Sequence, residues 1–298
     1  MIAKECPICE TNKYSKVVYT QNLPTKNNQI DFSGRKNPDG FHYEMIRCFQ
    51  CNLLYAKEIY EENFSNNLYE ESEFSYDDEL TGLKKTYLNC LKEACNDIKK
   101  KENFLEIGCG NGFMLKEASN LGFKFVQGVE PSKNAYLKSP EELKEKILQK
   151  IFDHRDFKDN FFDIVFIAMI VEHVVDINKF LKDIQKILKP GGKVVCICHN
   201  ERHFLSKILK SKHPIINDEH VVVFGKTTLK KIFTKHNYTN VNVSNLQNFY
   251  SVKYWCKMLP LNYYLKKFFS KALSLFSLDK KIVGIKAGNL YLIADKKS

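Results

Sequence analysis

The chain is predicted to form an α/β domain built on a doubly wound, mostly parallel sheet. Three observations predict this fold. From about residue 77 onward, short apolar segments alternate with amphipathic helical patterns. A turn rich in glycine joins the first of these segments to a helix, and the apolar run 162–168 is typical of a parallel strand buried on both faces. Ligands of such sheets bind at the carboxyl ends of the strands.

The individual elements follow from apolar periodicity and from glycine and proline positions. A 3.6-residue period predicts one helix with the buried stripe Leu80, Leu83, Tyr87, Leu91, Ala94 and Ile98, and another with Ile177, Phe180, Leu181, Ile184, Ile187 and Leu188. Strands are predicted over 103–107, 124–130, 162–168 and 193–198, a helix from the glycine turn to Leu121, and helical structure over 141–150. The segment 189–192 is expected to end the second amphipathic helix and turn into the next strand.

The glycine turn is the first candidate binding site. Gly108, Gly110 and Gly112 can adopt positive φ and allow a ligand to approach the backbone closely. Glu106 lies two residues before the first glycine, and Glu130 lies twenty residues beyond Gly110. A carboxylate directed into this turn would repel the pyrophosphate of a dinucleotide but would suit a cationic ligand.

This E-x-G-x-G-x-G pattern resembles motif I of the class I S-adenosylmethionine-dependent methyltransferases. The resemblance implies that Glu106 serves the methionyl amino group and that Glu130, at the end of the second strand, holds the ribose. It also implies that the cofactor is lined by Gly108, Cys109, Gly110, Gly112, Pro131 and Met169.

Further segments resemble small-molecule enzymes of the ubiquinone O-methyltransferase type within that family. They are residues 161–166, 171–174, 188–192, 220–229 and 287–296. The resemblance implies a seven-stranded Rossmann-like sheet whose final strand forms an antiparallel hairpin pair with the sixth. The segment 151–156 departs from the family pattern. Asp153 is its best match to the acid near the adenine, and Phe152 is either an adenine contact or a core residue.

Two C-x₂-C pairs, Cys6 with Cys9 and Cys48 with Cys51, predict a four-thiolate structural zinc ribbon. A redox pair and a ribbon that no longer binds metal are the alternatives. Four thiolates leave zinc no open position, so the metal is not expected to be catalytic. Residues 47–55 resemble the zinc-bearing N-terminus of a subset of these enzymes, some of which act on sugars.

Three domains are therefore predicted. They are a zinc-ribbon-like module over 1–60, a helical connector or lid over 61–100, and a methyltransferase domain over 101–298 in which 200–285 is a substrate-covering insertion. A basic amphipathic helix over 261–278 is expected to be a lid or substrate wall, with a membrane-surface role as the alternative.

The charge of the chain disfavours nucleic acid as a partner. The net charge is +11, but only four of the 46 basic residues are arginine, the side chain preferred for phosphate and base contacts. We interpret the lysines as solvated faces or as attraction for an anionic acceptor. The sequence shows no secretion signal and no apolar run long enough to span a bilayer, so a soluble, cytoplasmic protein is expected.

Three histidines fall on the predicted rim of the sheet: His173 and His199 follow predicted strands, and His220 lies in the following loop, which should cover the acceptor. His173 is the first candidate for a general base, because its neighbour Glu172 would raise its basicity, and His220 is the second. Each could instead be a hydrogen-bonded structural residue.

The sequence thus predicts an S-adenosylmethionine-dependent methyltransferase that O-methylates a small molecule such as a sugar or sugar nucleotide. The alternatives are an RNA or protein methyltransferase that uses the ribbon and lysines to hold a macromolecule, and a cofactor-binding module without turnover. The oligomeric state has no signature in the sequence.

Overall fold

The computed structural model describes residues 1–24, 32, 39–73, 79–258, 273 and 279–297. In chain order, its strands are β1 (Ile2–Ala3), β2 (Ser15–Tyr19), β3 (Met45–Cys48), β4 (Leu54–Ala56), β5 (Glu58–Ile59), β6 (Asn103–Ile107), β7 (Phe125–Val129), β8 (Ile147–Leu148), β9 (Phe162–Ala168), β10 (Leu188–His199), β11 (Val222–Val223), β12 (Tyr238–Asn245), β13 (Asn248–Ser251), β14 (Ile282–Ile285) and β15 (Asn289–Lys296). The helices are α1 (Glu62–Glu71), α2 (Leu80–Ala94), α3 (Phe113–Asn120), α4 (Lys133–Leu137), α5 (Glu141–Lys144), α6 (Ile177–Ile187), α7 (Phe204–Leu209), α8 (Lys226–Lys235) and α9 (Val252–Met258). The basic helix expected over 261–278 lies outside the described residues, except for residue 273.

A seven-stranded sheet forms the centre of the molecule, in the order β12-β15-β10-β9-β6-β7-β8. The five strands from β10 to β8 are parallel, whereas β15 runs antiparallel to both β10 and β12. The predicted doubly wound, mostly parallel fold is therefore confirmed, as is the antiparallel pairing of the final strand. The chain order reverses beside β6, so the carboxyl ends of β6, β7 and β9 open onto one crevice.

The central strands are apolar because both of their faces are covered. On β9, Ile164 and Phe166 join one buried cluster, while Val165 and Ile167 join the other. Residues of α2 and α3 belong to the first cluster, and residues of α6 and α8 belong to the second. Successive side chains of a strand point to opposite faces, so a strand between two helix layers is apolar on both faces over most of its length.

The N-terminal region packs directly on this domain. Met45 and Leu54 belong to the same buried cluster as Val165 and Val194 of the central sheet. The sheet of this region has the order β11-β4-β3-β2, so its first strand comes from residues beyond 200. Residues 1–60 therefore share both a core and a sheet with the rest of the chain.

Three expectations about local structure are wrong. Helical structure over 141–150 is limited to α5, because Ile147 is buried and pairs with β7 as the edge strand β8. The segment 189–192 lies within β10, which has an irregular register there. The proposed insertion over 200–285 includes α8 and β12, and β12 is a strand of the central sheet because it pairs with β15.

Among the described residues, no helix is both long enough and apolar enough to cross a membrane.

Candidate functional site

The glycine turn lies at the carboxyl end of β6 and leads into α3. Gly108, Gly110 and Gly112 have φ angles of +74°, +55° and +78°. The turn is held against the end of β7, because the amides of Gly108 and Cys109 both donate to the Val129 carbonyl oxygen, at 2.8 and 3.1 Å. A Cβ at Gly108 would lie 2.2 Å from Ile170 Cδ1, so both the backbone conformation and the available space favour glycine there.

Glu130 follows β7 and closes the turn from the other side. Its Oε2 accepts the Gly110 amide at 2.7 Å and its Oε1 accepts the Ser132 amide at 2.8 Å. The Glu130 side chain is almost fully buried, and burial raises its pKa in spite of these two hydrogen bonds. Pro131 lies between Glu130 and Ser132, which caps α4.

Glu106, on β6, is the other carboxylate of this turn. The residue is 2% exposed, and its Oε2 has no hydrogen-bond partner among the described residues. Burial, and then the charge of Glu130, raises the pKa of Glu106 well above its usual value. A buried carboxylate oxygen without a donor is costly, and a cationic or hydrogen-bond-donating ligand would relieve that cost. The two acids and the glycine backbone therefore fit a ligand that has an ammonium group and hydroxyl groups.

Met169 extends the same site from the end of β9. Its φ is +56°, an uncommon conformation for a residue with a long side chain, and its amide donates to the Ile197 carbonyl oxygen at 2.8 Å. Such strained backbone is concentrated at binding and catalytic sites. Met169 comes directly after β9, which pairs with the strand that carries Glu106.

Phe152 and Asp153 contact other residues of the protein in ways that do not favour a binding role. The Phe152 ring packs against Phe157 and Phe180, with centroids 6.0 and 5.7 Å apart. Asp153 caps the short 3₁₀ turn His154–Asp156 and forms an ion pair with Arg155, whose hydrogen bonds lower the pKa of the Asp153 carboxyl. The contacts of Phe152 favour the core alternative, and a role of either residue at the adenine stays a prediction.

The three histidines predicted at the rim of the sheet lie together. The rings of His173 and His220 have centroids 4.6 Å apart, and those of His199 and His220 are 5.2 Å apart. His199 is the last residue of β10, and His173 lies in the turn that follows β9. Adjacent parallel strands thus bring two of the rings together, and the segment before β11 adds the third.

The expected effect of Glu172 on His173 is wrong. Glu172 Oε1 accepts the backbone amide of His199 at 2.6 Å, so this carboxylate is directed to β10. Burial, and then the neighbouring His199, lowers the pKa of His173 to about 4. The imidazole is therefore neutral at pH 7.

The hydrogen bonds of His220 define its protonation. Its Nδ1 lies 2.8 Å from the Ile215 carbonyl oxygen, which can only accept, so Nδ1 carries the hydrogen and Nε2 carries the lone pair. Burial, followed by the neighbouring His173, holds the pKa of His220 well below its usual value. A neutral imidazole can accept a hydrogen bond or a proton through Nε2, and the lowered pKa makes His220 a weaker base than an exposed histidine.

Two residues of this cluster were missed in the sequence analysis. The Tyr69 hydroxyl of α1 lies 2.9 Å from His173 Nδ1, and Glu219 Oε2 lies 3.8 Å from the same nitrogen. Glu219 could have been noticed as an acid beside His220 in the sequence. Tyr69 could not, because 104 residues separate it from His173.

The four cysteines of the C-x₂-C pairs also come together. The sulfur atoms of Cys6, Cys9, Cys48 and Cys51 all lie within 4.8 Å of one another. Tetrahedral zinc with bonds of about 2.3 Å requires sulfur atoms at about this spacing. The residues after each pair, Glu10 and Asn52, have φ angles of 53° and 70°, and their amides donate to the Cys6 and Cys48 carbonyls. Both turns therefore have the geometry of a metal-binding knuckle.

Comparison with known proteins connects this geometry to a family. A family model described as "Methyltransferase domain" matches residues 81–243. Phosphoethanolamine N-methyltransferase 2 of Caenorhabditis elegans is 33% identical over 105 residues, which cover 33% of this chain and 24% of that protein. The mitochondrial ubiquinone biosynthesis O-methyltransferase of Dictyostelium discoideum is 30% identical over 121 residues, which cover 36% of this chain and 37% of that protein.

The matched part of the chain thus spans well under two thirds of the length of these relatives. Among solved structures, a chain of the Haloferax volcanii complex between the Trm112 methyltransferase activator and a methyltransferase superposes with a TM-score of 0.50 at 16% identity. The superposition covers 73% of this chain and 93% of the other, and it shows a shared fold. With its matched family model, its seven-stranded sheet and its glycine turn between two buried acids, the chain belongs to the methyltransferase domain family and carries a class I S-adenosylmethionine-dependent methyltransferase domain.

Proposed function

We propose that the protein transfers a methyl group from S-adenosylmethionine to a hydroxyl group of a small molecule. The observation that carries the proposal is the position of two unlike clusters on neighbouring strand ends of one sheet. Buried acids surround the glycine turn after β6, and the neutral imidazoles of His173 and His220 lie together beside the end of β9. The first cluster suits a cationic cofactor, and the second suits a group that gives up a proton.

The cofactor side is assigned to the residues of the glycine turn. Glu106 would bind the methionyl ammonium group through its buried oxygen, and Glu130 would bind the ribose hydroxyls. The backbone of Gly108, Cys109, Gly110 and Gly112 would line the cofactor, with Pro131 and Met169 beside it. When bound, S-adenosylmethionine supplies an electrophilic methyl carbon attached to a sulfonium.

The acceptor side is assigned to the histidine cluster. His220 would take the proton from the acceptor hydroxyl through its Nε2, since its Nδ1 is committed to Ile215. His173, held by Tyr69, would orient the acceptor. Because methyl transfer is an in-line displacement, holding the hydroxyl in position contributes much of the rate.

A sugar or sugar nucleotide is the proposed acceptor class. The cluster presents lone pairs of neutral imidazoles, which match an acceptor rich in hydroxyl donors. The net charge of +11 suits an anionic molecule such as a sugar nucleotide. Residues 47–55 resemble the zinc-bearing N-terminus of a subset of these methyltransferases, and the members of that subset that act on sugars support the same class.

The first experiment is calorimetry of the wild-type protein with S-adenosylhomocysteine. We expect micromolar binding, with no heat from NAD, followed by methyl transfer to hydroxyl-bearing acceptors in a screen of sugar nucleotides. Absence of binding would reject the cofactor assignment. Binding with transfer only to RNA or protein would reject the acceptor assignment alone.

The four cysteines are proposed to hold structural zinc. We expect about one zinc per chain by elemental analysis, and loss of that zinc in Cys48→Ser, because the variant leaves three thiolates where structural sites use four ligands. Cys256→Ser is the matched control, since Cys256 lies in α9 outside the cluster, and it should retain the metal.

The zinc variant should also lose thermal stability, because a small metal-binding module depends on its metal for folding. A wild-type protein free of zinc, or a Cys48→Ser variant with full zinc content, would contradict the assignment.

A further inference from the structure

We propose that the four-cysteine module, residues 1–60, holds part of the acceptor site in position, with Arg47 and Glu201 as positioning residues. The inference rests on the proposed function, because it takes His220 as an acceptor-site residue and the cysteines as metal ligands. It goes beyond a stabilising role for the metal. The module would hold the histidine cluster in place while leaving the cofactor site unaffected.

The first connection is a strand shared between the module and the segment after His220. β11 pairs antiparallel with β4, so that Val222 lies opposite Tyr55 and Val223 opposite Leu54. The Ala56 amide also donates to the Val221 carbonyl oxygen at 2.9 Å. β4 starts three residues after the ligand Cys51, and β11 starts two residues after His220. A single strand pair therefore joins the metal knuckle to the histidine.

The same segment has a second anchor at the end of β9. The amides of Val221 and Val222 donate to the Glu172 carbonyl oxygen, at 2.8 and 3.3 Å. Glu172 immediately precedes His173, so this contact sets the distance between His173 and His220. The segment is thus held between the central sheet on one side and the module on the other.

The second connection is an ion pair that crosses the same boundary. The Arg47 guanidinium donates to both oxygens of Glu201, at 3.0 Å each, and the two side chains are 18% and 5% exposed. Arg47 also donates to the Asn52 carbonyl oxygen at 2.9 Å. Arg47 precedes the ligand Cys48 and Asn52 follows the ligand Cys51, so Arg47 joins both ends of the second knuckle to Glu201.

Glu201 is itself placed at the acceptor site. It lies two residues after His199, and its amide donates to the Phe224 carbonyl oxygen at 2.9 Å, directly after β11. The same carboxylate also forms an ion pair with Arg202, whose Nε lies 2.5 Å from Glu201 Oε1. The Glu201 residue therefore contacts the knuckle through its side chain and the His220 segment through its backbone.

The glycine turn is held by different contacts. Val129 and Glu130 hold its amides, and both belong to the central sheet and the loop after β7. Loosening the module should therefore disturb His220 and spare the cofactor site. Loss of the Arg47 side chain removes two hydrogen bonds from the buried Glu201 carboxylate, which then retains its ion pair with Arg202.

The test compares Arg47→Ala with Arg47→Lys and with the control Lys57→Ala in full-length, zinc-loaded protein. Lys57 pairs with Glu44 at 2.7 Å in the same module, but its side chain is 54% exposed. Three quantities are measured for each variant: amide hydrogen exchange over residues 221–223, the dissociation constant of S-adenosylhomocysteine, and zinc content. Where an acceptor is known, its KM and kcat are added.

In Arg47→Ala we expect exchange over 221–223 to accelerate by at least about tenfold, with S-adenosylhomocysteine affinity within about twofold of wild type and zinc retained. The acceptor KM should rise by about tenfold, more than kcat falls. Arg47→Lys should be intermediate, because lysine cannot form the bidentate pair. Lys57→Ala should match the wild type.

Unchanged exchange over 221–223 in Arg47→Ala would overturn the proposal, and so would an equal loss of S-adenosylhomocysteine affinity, which would indicate general destabilisation. If Arg47→Ala does not fold, chelation of the metal from wild-type protein replaces it. Faster exchange over 221–223 with the affinity retained supports the proposal, and unchanged exchange rejects it. Failure of the wild-type protein to bind S-adenosylhomocysteine would reject the proposed function, while the exchange data would still decide the coupling.

Discussion

Glu106→Gln is expected to weaken S-adenosylhomocysteine binding by about 100-fold, which corresponds to about 2.7 kcal/mol. The carboxylate is buried on β6, and one of its oxygens has no partner in the part of the chain that the structure describes, so it is placed to receive an ammonium group. The amide of glutamine removes that charge without changing the shape. The measurement is calorimetry at constant pH and salt. Glu102→Gln is the control, because Glu102 lies just before the same strand with a side chain 42% exposed, and it should bind normally.

The raised pKa of Glu106 makes this binding dependent on pH. The ligand requires the carboxylate, and burial favours the protonated acid, so wild-type affinity should rise with pH as Glu106 loses its proton. Glu106→Gln should lose that part of the dependence. Retained affinity with an unchanged pH profile would show that another group receives the ammonium.

The same substitution should stabilise the protein in the absence of ligand. A carboxyl whose pKa is raised in the folded state binds protons more readily there than in the unfolded chain. Stability therefore falls as pH rises above the usual value of 4.5 toward the raised one, and it stays lower beyond that window. At pH 7 we expect Glu106→Gln to be more stable than the wild type, because the amide removes the buried charge and keeps the shape of the side chain. A thermal melt checks the sign.

His220→Ala is expected to lower kcat for methyl transfer by at least about 100-fold, the usual contribution of a general base. S-adenosylhomocysteine affinity should remain within about twofold of wild type, because His220 lies in the acceptor cluster. In wild-type enzyme the pKa of His220 is held well below its usual value, so the imidazole is neutral across the physiological range. The rate should therefore show no loss between pH 8 and pH 6 from protonation of His220.

His236→Ala is the matched control for His220→Ala. His236 is also a buried histidine, 5% exposed, but its Nε2 contacts Asn178 and it stands outside the cluster. It should lose stability to a similar degree and keep its kcat. If both variants lose kcat equally, the effect of His220 is structural; if neither does, positioning alone accounts for the rate.

Much of the fold could be predicted from local patterns. The alternation of apolar segments predicted strands β6, β7, β9 and β10, because a strand covered on both faces is mostly apolar. Short and irregular elements were harder to predict. Residues 141–150 are compatible with a helix by composition, and only pairing of Ile147 with β7 makes that end of the segment a strand.

The candidate site, too, could be predicted from the sequence only in part. The glycine turn, its two acids and the four cysteines are evident in the sequence, because turn conformation and metal ligation require particular residues at short, fixed spacings. The contacts of Phe152 and of Glu172 could not be predicted so directly. Whether a side chain faces a ligand or the core depends on the elements that pack beside it.

By itself, then, the sequence determined the sheet architecture, the cofactor turn and the grouping of the cysteines. Only the tertiary structure decided that Tyr69 and Glu219 join His173, and that burial keeps the imidazoles of His173 and His220 neutral. It also decided that β4 of the cysteine module pairs with β11 beside His220. The physical reason is the range of the interactions. Backbone conformation is encoded by neighbouring residues, whereas desolvation and side-chain contacts depend on segments brought together from more than a hundred residues apart.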